Sequence, residues 1–256
     1  FETQFYNKNK SKTTQLVIGL DFGTAFTKII VGSGKTVKFA IPFEKNEYSE
    51  NPYILPCRFF ITSNGVCRLN NVNGQTKTTE IKDLKMAILF ESLTHEKKIE
   101  IIIFLALTFR HTRQYILSTK FDIFKDKFLD WVVNVGLPAE KWEDPYINKI
   151  YKEVVVSAWN ISIQSGPINR DTIKVFDELE DSIHPDKIQL FPEFVAQVMG
   201  YITSPLRQPD LHILIDIGAG TVDTVIFNVH KDEHGGPVLP IFVRSVQIAG
   251  TEVLTK

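Results

Sequence analysis

The sequence predicts an α/β fold with mixed sheets flanked by helices. Short runs of Val, Ile, Leu and Phe alternate with longer segments of helical spacing, a pattern typical of strands followed by helices. A strand–turn–strand segment near the N terminus recurs near the C terminus. With 43% hydrophobic residues among 256, the chain can build a sizeable core, which excludes a disordered chain. We therefore expect one or two domains.

The first elements are predicted to form an antiparallel meander. Residues 1–14 are polar and without periodicity, and they are predicted to be a tail. Apolar, β-rich runs at 15–20, 26–31 and 36–41 are separated by glycine-containing turns. Such spacing is typical of successive hairpins, and the first turn carries Asp21.

The character of the sequence changes over residues 44–130. A strand over 53–61, interrupted by Pro56, precedes two predicted helices over 83–90 and 96–117. The second helix is strongly apolar on one face. We expect this stretch to be an inserted subdomain.

Alternation of strands and helices resumes after the insert. A buried strand over 131–137 precedes a helix predicted over 140–159, whereas residues 160–189 show no clear period. Pro192 is predicted in the first turn of a helix that ends at Gly200. The remaining predicted elements are three strands, the first of them buried, over 211–217, 222–229 and 238–246.

Charge, hydropathy and cysteine usage exclude several classes of function. Lys and Arg number 29 against 30 Asp and Glu, and this balance offers no basic surface for nucleic acid or membrane. The longest apolar stretch, 101–107, is far shorter than the about 18 residues that cross a bilayer. Cys57 and Cys67 alone make no disulfide framework, which favours a reducing compartment. We expect a cytoplasmic protein that binds neither nucleic acid nor membrane.

Two acidic turns carry the candidate chemistry. Asp21 and Asp216 each close a hydrophobic strand, and each is followed by glycine, threonine and a returning strand. Glycines let backbone amides approach phosphates closely, and threonine hydroxyls can donate hydrogen bonds as well. A carboxylate at a strand end can hold a hydrated Mg²⁺ over those phosphates. One such turn is as readily an ordinary hairpin, but the pair indicates binding of an oligophosphate with magnesium.

These segments resemble a known family. LDFGTAFTKIIV resembles the first phosphate motif of the actin-like ATPase superfamily, which includes actins, sugar kinases and heat-shock chaperones, and IDIGAGTVDTVIF is similar to the second. WVVNVGLPAE, FPEFVAQVMGY, DLKMAIL and IAGTE resemble further segments of the seventy-kilodalton heat-shock chaperones. The resemblance runs in order from about residue 16 to the end, and it is nearest to the heat-shock-like branch.

The resemblance implies a two-lobed ATPase of ribonuclease H-like fold, with ATP or ADP and Mg²⁺ in its cleft. The first lobe would comprise residues 15–43 and 131–205, with 44–130 as its inserted subdomain. Residues 206–256 would begin the second lobe.

The resemblance also implies which residues bind the nucleotide and the metal. Asp21, Glu193 and Asp216 would order the water shell of Mg²⁺. The residues implied to contact the nucleotide are Asp21, Gly23, Thr24, Ala25, Gly218, Ala219, Gly220, Thr221 and Gly250.

For hydrolysis, the resemblance implies five residues. Lys85, with Lys82 close by in the same segment, would lie near the γ-phosphate. Thr221 and Asp223 would help to position the attacking water. The full implied set is Lys85, Glu193, Asp216, Thr221 and Asp223.

The sequence departs from the chaperone pattern in four places. Ala25 replaces a second threonine, and Ala219 replaces a glycine, where we expect its Cβ to be costly in a phosphate turn. Residues 160–189 lengthen the spacing before Glu193. No glycine-rich adenosine motif follows before Lys256, so we expect the adenine site to be incomplete and ATP binding by these residues alone to be weak.

We therefore expect an ATP-binding and ATP-hydrolysing domain of a heat-shock-chaperone-like protein, which couples nucleotide state to a protein partner or client. An actin-like filament-forming ATPase is one alternative. A small-molecule kinase is another, although no acceptor-binding carboxylate is identified. A nucleotide-binding module without catalysis is a further one, because of Ala25 and Ala219.

Overall fold

A computed structural model describes residues 12–44, 48–71, 78–89, 93–137, 143–170, 173, 183–231, 237–238 and 241–247. The strands are β1 (Thr13–Phe22), β2 (Phe26–Ser33), β3 (Val37–Ala40), β4 (Leu55–Pro56), β5 (Phe59–Ile61), β6 (Cys67–Arg68), β7 (Thr79–Ile81), β8 (Phe128–Leu137), β9 (Ile188–Pro192), β10 (Asp210–Ile217), β11 (Val222–Lys231), β12 (Pro237–Val238) and β13 (Ile241–Gln247). The α-helices are α1 (Leu84–Leu89), α2 (His95–Thr119), α3 (Phe121–Phe124), α4 (Pro145–Ile163) and α5 (Glu193–Ile202). The predicted α/β fold is confirmed.

The chain divides into two compact units. One comprises Phe1–Val135 with Lys149–Gln189, and the other comprises Gly136–Asn148 with Leu190–Lys256. Helix α2, predicted in an inserted subdomain, belongs to the same unit as β1. The lobe boundaries expected from the resemblance stay a prediction.

The predicted meander forms one side of the first sheet. Strand β1 pairs antiparallel with β2, and β2 pairs antiparallel with β3. Strand β8 joins the other edge of β1 in parallel, so the described strands follow the order β3-β2-β1-β8-β9, with β4 on β2. A smaller sheet of described strands has the order β6-β5-β7.

The core of the first unit lies between one face of β1 and the long helix α2. The ring centroids of Phe22 and Phe104 are 6.0 Å apart, and those of Phe109 and Trp159 are 5.7 Å apart. Burial of each such side chain contributes about 1.5–3 kcal/mol. Helix α2 begins after Thr94, whose hydroxyl accepts the backbone N–H of residue 97 at 3.1 Å. None of the helices in the described residues has the length and apolar content needed to cross a bilayer.

An arginine of α2 caps the C-terminal end of α4. The guanidinium of Arg110 donates to the backbone carbonyls of Ile161, Ser162, Gln164 and Gly166 at 3.0, 3.3, 3.1 and 2.6 Å. Burial lowers the pKa of Arg110, but a guanidinium stays charged at any physiological pH. The cation therefore satisfies carbonyls that the end of a helix leaves without partners.

The second unit contains a sheet covered by α5. Its described strands follow the order β10-β11-β12, and β13 also pairs antiparallel with β11, with an irregularity in the pairing between Ile226 and Phe227. Residues of α5 spaced by four pack against alternate residues of β11. This cluster consists of Phe194, Val198, Ile202, Val225, Phe227 and Val229.

The predicted ends of α5 are wrong. Pro192 is the last residue of β9 and caps the helix from outside rather than lying in its first turn. The helix continues past Gly200 because Ile202 is buried in the core. It ends at Ile202 and is capped by Thr203, whose hydroxyl donates to the carbonyl of Met199 at 2.7 Å.

Other predicted boundaries differ as well. The helix predicted over 140–159 is α4, which begins at Pro145 and ends at Ile163. The strand predicted over 53–61 is divided into β4 and β5, and the strand predicted over 238–246 corresponds to β12 and β13. Strand β9 begins at the end of the aperiodic stretch 160–189 and continues to Pro192, and the sequence does not predict it.

Strand β10 is not buried as predicted, because it leaves an apolar face exposed among the described residues. The exposed fractions of four alternating side chains lie between 59% and 65%. When Asp21 and Asp216 are aligned, the equivalent residues of β1 are all buried. The exposed set is Leu211, Ile213, Ile215 and Ile217, and its buried counterpart is Leu16, Ile18, Leu20 and Phe22.

Candidate functional site

The first acidic turn begins with an accessible carboxylate. Asp21 is the penultimate residue of β1, and its partner across the β1–β2 pair is Lys28. The Lys28 Nζ lies 3.3 Å from the Asp21 Oδ2, and both side chains are about half exposed. An ion pair this exposed contributes little to stability, so the carboxylate can exchange Lys28 for another cation at small cost.

Gly23 closes this turn tightly. Its N–H donates to the carbonyl of Phe26 at 3.0 Å. A Cβ at position 23 would lie 2.3 Å from that same carbonyl oxygen. No side chain fits there unless the backbone moves, and a glycine is therefore required.

Two contacts hold the rest of the turn. The Thr24 hydroxyl lies 3.9 Å from the Met86 sulfur of α1. The carbonyl of Ala25 accepts the N–H of Cys57 at 2.7 Å. The first turn is thereby tied to both α1 and the residue that follows β4.

Lys85 lies in this neighbourhood and is buried. Only 4% of its surface is exposed, although a lysine is ordinarily a surface residue. Lys85 is close to Cys57, since its charge acts on the Cys57 thiol. Burial raises the pKa of that thiol to about 12, and the hydroxyl of Thr27 and the charge of Lys85 oppose the rise. The structure thus places Lys85 beside the residue that holds Ala25, and its role near a γ-phosphate stays a prediction.

The Cys57 thiol should make the fold less stable in alkaline solution. Below pH 9 the thiol is protonated in both folded and unfolded chains, so its contribution is fully present. Above that pH the unfolded chain loses the proton while the folded chain keeps it, and the contribution is lost as the pH rises towards 12. We expect the Cys57-dependent part of the free energy of unfolding to fall by about 2 kcal/mol between pH 8 and pH 10.5.

Urea denaturation at the two pH values measures this loss. Cys57→Ala should lack it, whereas Cys67→Ala, which removes the other buried thiol, should retain it. An equal alkaline loss in the wild-type protein and in Cys57→Ala would contradict the prediction.

The second acidic turn closes in the same way as the first. The N–H of Gly218 donates to the carbonyl of Thr221 at 2.9 Å, as Gly23 does to Phe26. In both turns the acceptor is the third residue after the glycine. A Cβ at position 218 would lie 3.3 Å from the Thr221 oxygen, which is also tight. The repeat seen in the sequence is therefore present in the backbone hydrogen bonds.

Ala219 is accommodated in this turn without backbone strain. Among the described residues, the non-glycine positions with positive φ are Asp83 and Asp210. Ala219 is not one of them, so the expected cost of its Cβ does not arise from a left-handed backbone. Gly220 beside it is buried.

Carboxylates cluster in the second unit. Asp216, the penultimate residue of β10, is the partner of Asp223 across the β10–β11 pair. The Gln197 side-chain amide donates to the Asp216 Oδ2 at 2.5 Å, and the Thr221 hydroxyl donates to the Asp223 Oδ2 at 3.3 Å. Like charges directly opposite each other destabilise a strand pair, so this arrangement favours a cation.

Glu193 is the first residue of α5 and lies against Gly136 of β8. Carboxylate oxygens suit Mg²⁺, which usually keeps several waters. Within the part of the chain that the structure describes, no group of three or more His, Cys, Asp or Glu side chains is arranged to hold a metal directly. Binding of Mg²⁺ through water stays a prediction.

The structure distributes the predicted residues over the two compact units. The first unit contains Asp21, Gly23, Thr24, Ala25 and Lys85, and the second contains Glu193, Asp216, Gly218, Ala219, Gly220, Thr221 and Asp223. Gly250 lies outside the described residues. Sequence reasoning missed Cys57, Gly136 and Gln197. The spacing of Gln197, four residues after Glu193 on a helix, was a usable signal, because it places both side chains on one face.

Comparison with known proteins gives fold-level matches only. No family model matches the sequence, and no curated protein matches it. One similar solved structure is an exopolyphosphatase from Cytophaga hutchinsonii, with 12% identity and a TM-score of 0.33 over 94% of this chain and 53% of that chain. Another is a 15-stranded ParM filament from Clostridium botulinum, with 12% identity and a TM-score of 0.39 over 94% of this chain and 66% of that chain. The chain spans about half the length of the exopolyphosphatase.

Proposed function

We propose that each of the two acidic turns is a phosphate- and metal-binding turn and that the complete protein is a Mg²⁺-dependent ATPase of the actin-like superfamily. The observation that carries the proposal is the shared closure of the turns. Each follows an acidic strand end, and each is closed by a glycine N–H bonded to the carbonyl three residues later. The bond alone closes any two-residue hairpin, so what sets these two turns apart is the acidic strand end, the glycine and the threonine that they share as well.

The chemistry of each turn suits a phosphate and a metal. Tight glycine turns let backbone N–H groups come close to phosphate oxygens. Asp21 offers an accessible carboxylate, and Asp216 together with Glu193 offers two more near α5. Lys85 is buried beside Cys57, the residue that holds the first turn, and the resemblance assigns it to the γ-phosphate.

Hydrolysis requires a positioned water more than a strong base. Phosphoryl transfer is catalysed mostly by positioning and charge stabilisation. The Thr221 hydroxyl donates to Asp223, so its oxygen remains free to accept from a water. Thr221 and Asp223 are therefore the proposed water-positioning pair.

Within the superfamily, the proposed branch is the heat-shock-chaperone-like one, acting on a protein partner or client. It is supported by the sequence resemblance of residues 131–140 and 191–201. A filament-forming ATPase is a second candidate, favoured by the exposed apolar side chains of β10. Sedimentation that depends on ATP would distinguish the filament from the chaperone-like protein.

Calorimetry on the complete protein tests the proposed function. We expect ATP to bind in the presence of Mg²⁺ and Asp21→Asn to weaken that binding about tenfold, which is 1.4 kcal/mol. Asp122→Asn is the matched control, since it removes another exposed Asp–Lys pair of the same unit, the one with Lys125, and should leave the affinity unchanged.

Two results would count against the proposal. If Mg·ATP does not bind the complete protein, the acidic turns are ordinary hairpins. If ATP binds but Asp21→Asn has no greater effect than Asp122→Asn, nucleotide is held elsewhere.

A further inference from the structure

Gly136 and Glu193 are in contact although they are remote in sequence. Gly136 is the penultimate residue of β8, and Glu193 opens α5 in the same compact unit. A Cβ built at position 136 would lie 2.9 Å from the Glu193 Cγ, 3.7 Å from its Oε1 and 3.8 Å from its Cδ. The glutamate side chain, from Cγ to the carboxylate, therefore occupies the space that a side chain at position 136 would fill.

Other glycines of this unit have different surroundings. Gly200, within α5, has no atom within 4 Å of the equivalent position. Gly218 meets only Thr221 of its own turn. Gly136 differs from both, because the space beside its Cα is occupied by the side chain of Glu193, which belongs to another element.

The start of α5 does not by itself fix where this carboxylate points. A helix macrodipole favours negative charge near its N terminus, but it acts on any rotamer that keeps the charge there. Pro192 precedes the helix and makes no side-chain cap that would compete for or direct Glu193. The contact with β8 therefore supplies a steric restriction that the helix end lacks.

We propose that Gly136 is a positioning residue for Glu193: the missing side chain at position 136 lets the Glu193 carboxylate take up the orientation in which it orders the water shell of Mg²⁺. This inference rests on the proposed function. A methyl group at 136 would stand 2.9 Å from Cγ, well inside the ordinary carbon–carbon contact of about 3.5–4.0 Å. Glu193 would then have to adopt another rotamer, and displacements of this size at a catalytic group lower turnover.

A double-mutant cycle on the complete protein tests the inference. Gly136→Ala should raise the Mg²⁺ concentration for half-maximal ATP hydrolysis about tenfold and change the KM for ATP less. Glu193→Ala should do the same, and the double variant should be no worse than Glu193→Ala alone, because the obstructing Cγ is gone. Gly200→Ala is the control glycine substitution and should leave the Mg²⁺ dependence unchanged.

The outcomes separate this inference from the proposed function. If Glu193→Ala leaves the Mg²⁺ dependence unchanged, the metal-ordering role fails. The contact is then tested by urea denaturation alone. The Gly136→Ala substitution should lower the free energy of unfolding when it is made in the wild-type protein, and it should not do so when it is made in the Glu193→Ala protein. Additive effects in the double variant, or a Gly136→Ala protein that behaves like Gly200→Ala, would overturn the inference.

Discussion

Replacing Asp216 by asparagine in the complete protein should lower kcat/KM for Mg·ATP hydrolysis about 100-fold while making the fold slightly more stable. Asp216 faces Asp223 across the β10–β11 pair, and relief of that repulsion should add about 0.2–1 kcal/mol to the free energy of unfolding. The amide of asparagine cannot supply the negative charge that holds the water shell of Mg²⁺. Opposite signs for activity and stability are typical of a residue kept for function.

Asp210→Asn provides a matched control for this prediction. Asp210 begins the same strand, is exposed, and has a positive φ of 85°, a conformation that asparagine also tolerates. Activity and stability should both be unchanged in this variant. Steady-state kinetics and urea denaturation measure the two effects, and an Asp216→Asn protein with full activity or lower stability would contradict the prediction.

The first unit shows which parts of the fold local sequence determines. The meander β1–β3 is predictable because apolar runs and turn glycines are local signals. In the second unit, Gly200 is wrongly predicted as a helix end. There the burial of Ile202 against β11 outweighs the tendency of a glycine to end a helix. Strand β9 is missed because it has only five residues, too few for a measurable period, and it begins at the end of an aperiodic stretch.

The candidate site shows a similar division. The two acidic turns are contiguous in sequence, so local pattern alone identifies their aspartates, glycines and threonines. The burial of Lys85, the bond from Gln197 to Asp216 and the contact of Gly136 with Glu193 depend on packing between distant segments. No single-sequence pattern encodes such contacts, because each partner alone has an ordinary surface interpretation.

Strand β10 shows that hydropathy alone does not predict burial. Its apolar residues predict a buried strand, as they do for β1, yet Ile213 and Ile215 are mostly exposed among the described residues. Hydropathy reports what a strand can bury, whereas burial depends on what covers it. The equivalence of β1 and β10 therefore holds for sequence and turn geometry but not for packing.

Among the described glycines of the first unit, Gly23→Ala should be the most disruptive single methyl addition. The new Cβ would lie 2.3 Å from the carbonyl oxygen of Phe26, the acceptor of the Gly23 N–H bond that closes the turn. Because the obstacle is backbone, the turn must open, and we expect a loss of about 3 kcal/mol from the broken bond and the backbone strain. Mg·ATP binding by the complete protein should fall with it, as the amides of residues 23–25 lose their arrangement.

Gly19→Ala separates this effect from the general cost of adding a methyl group to a strand. Gly19 lies four residues earlier on β1, and its Cβ would meet only the Ile30 carbonyl oxygen at an ordinary 3.7 Å. The free energy of unfolding of Gly19→Ala should stay within about 1 kcal/mol of wild type, since an alanine with room also restricts the unfolded chain. Urea denaturation compares the two variants, and calorimetry with Mg·ATP compares their affinities. Equal stability of the two variants would mean that the first turn can open freely, and a turn that opens freely cannot hold phosphate through fixed backbone amides.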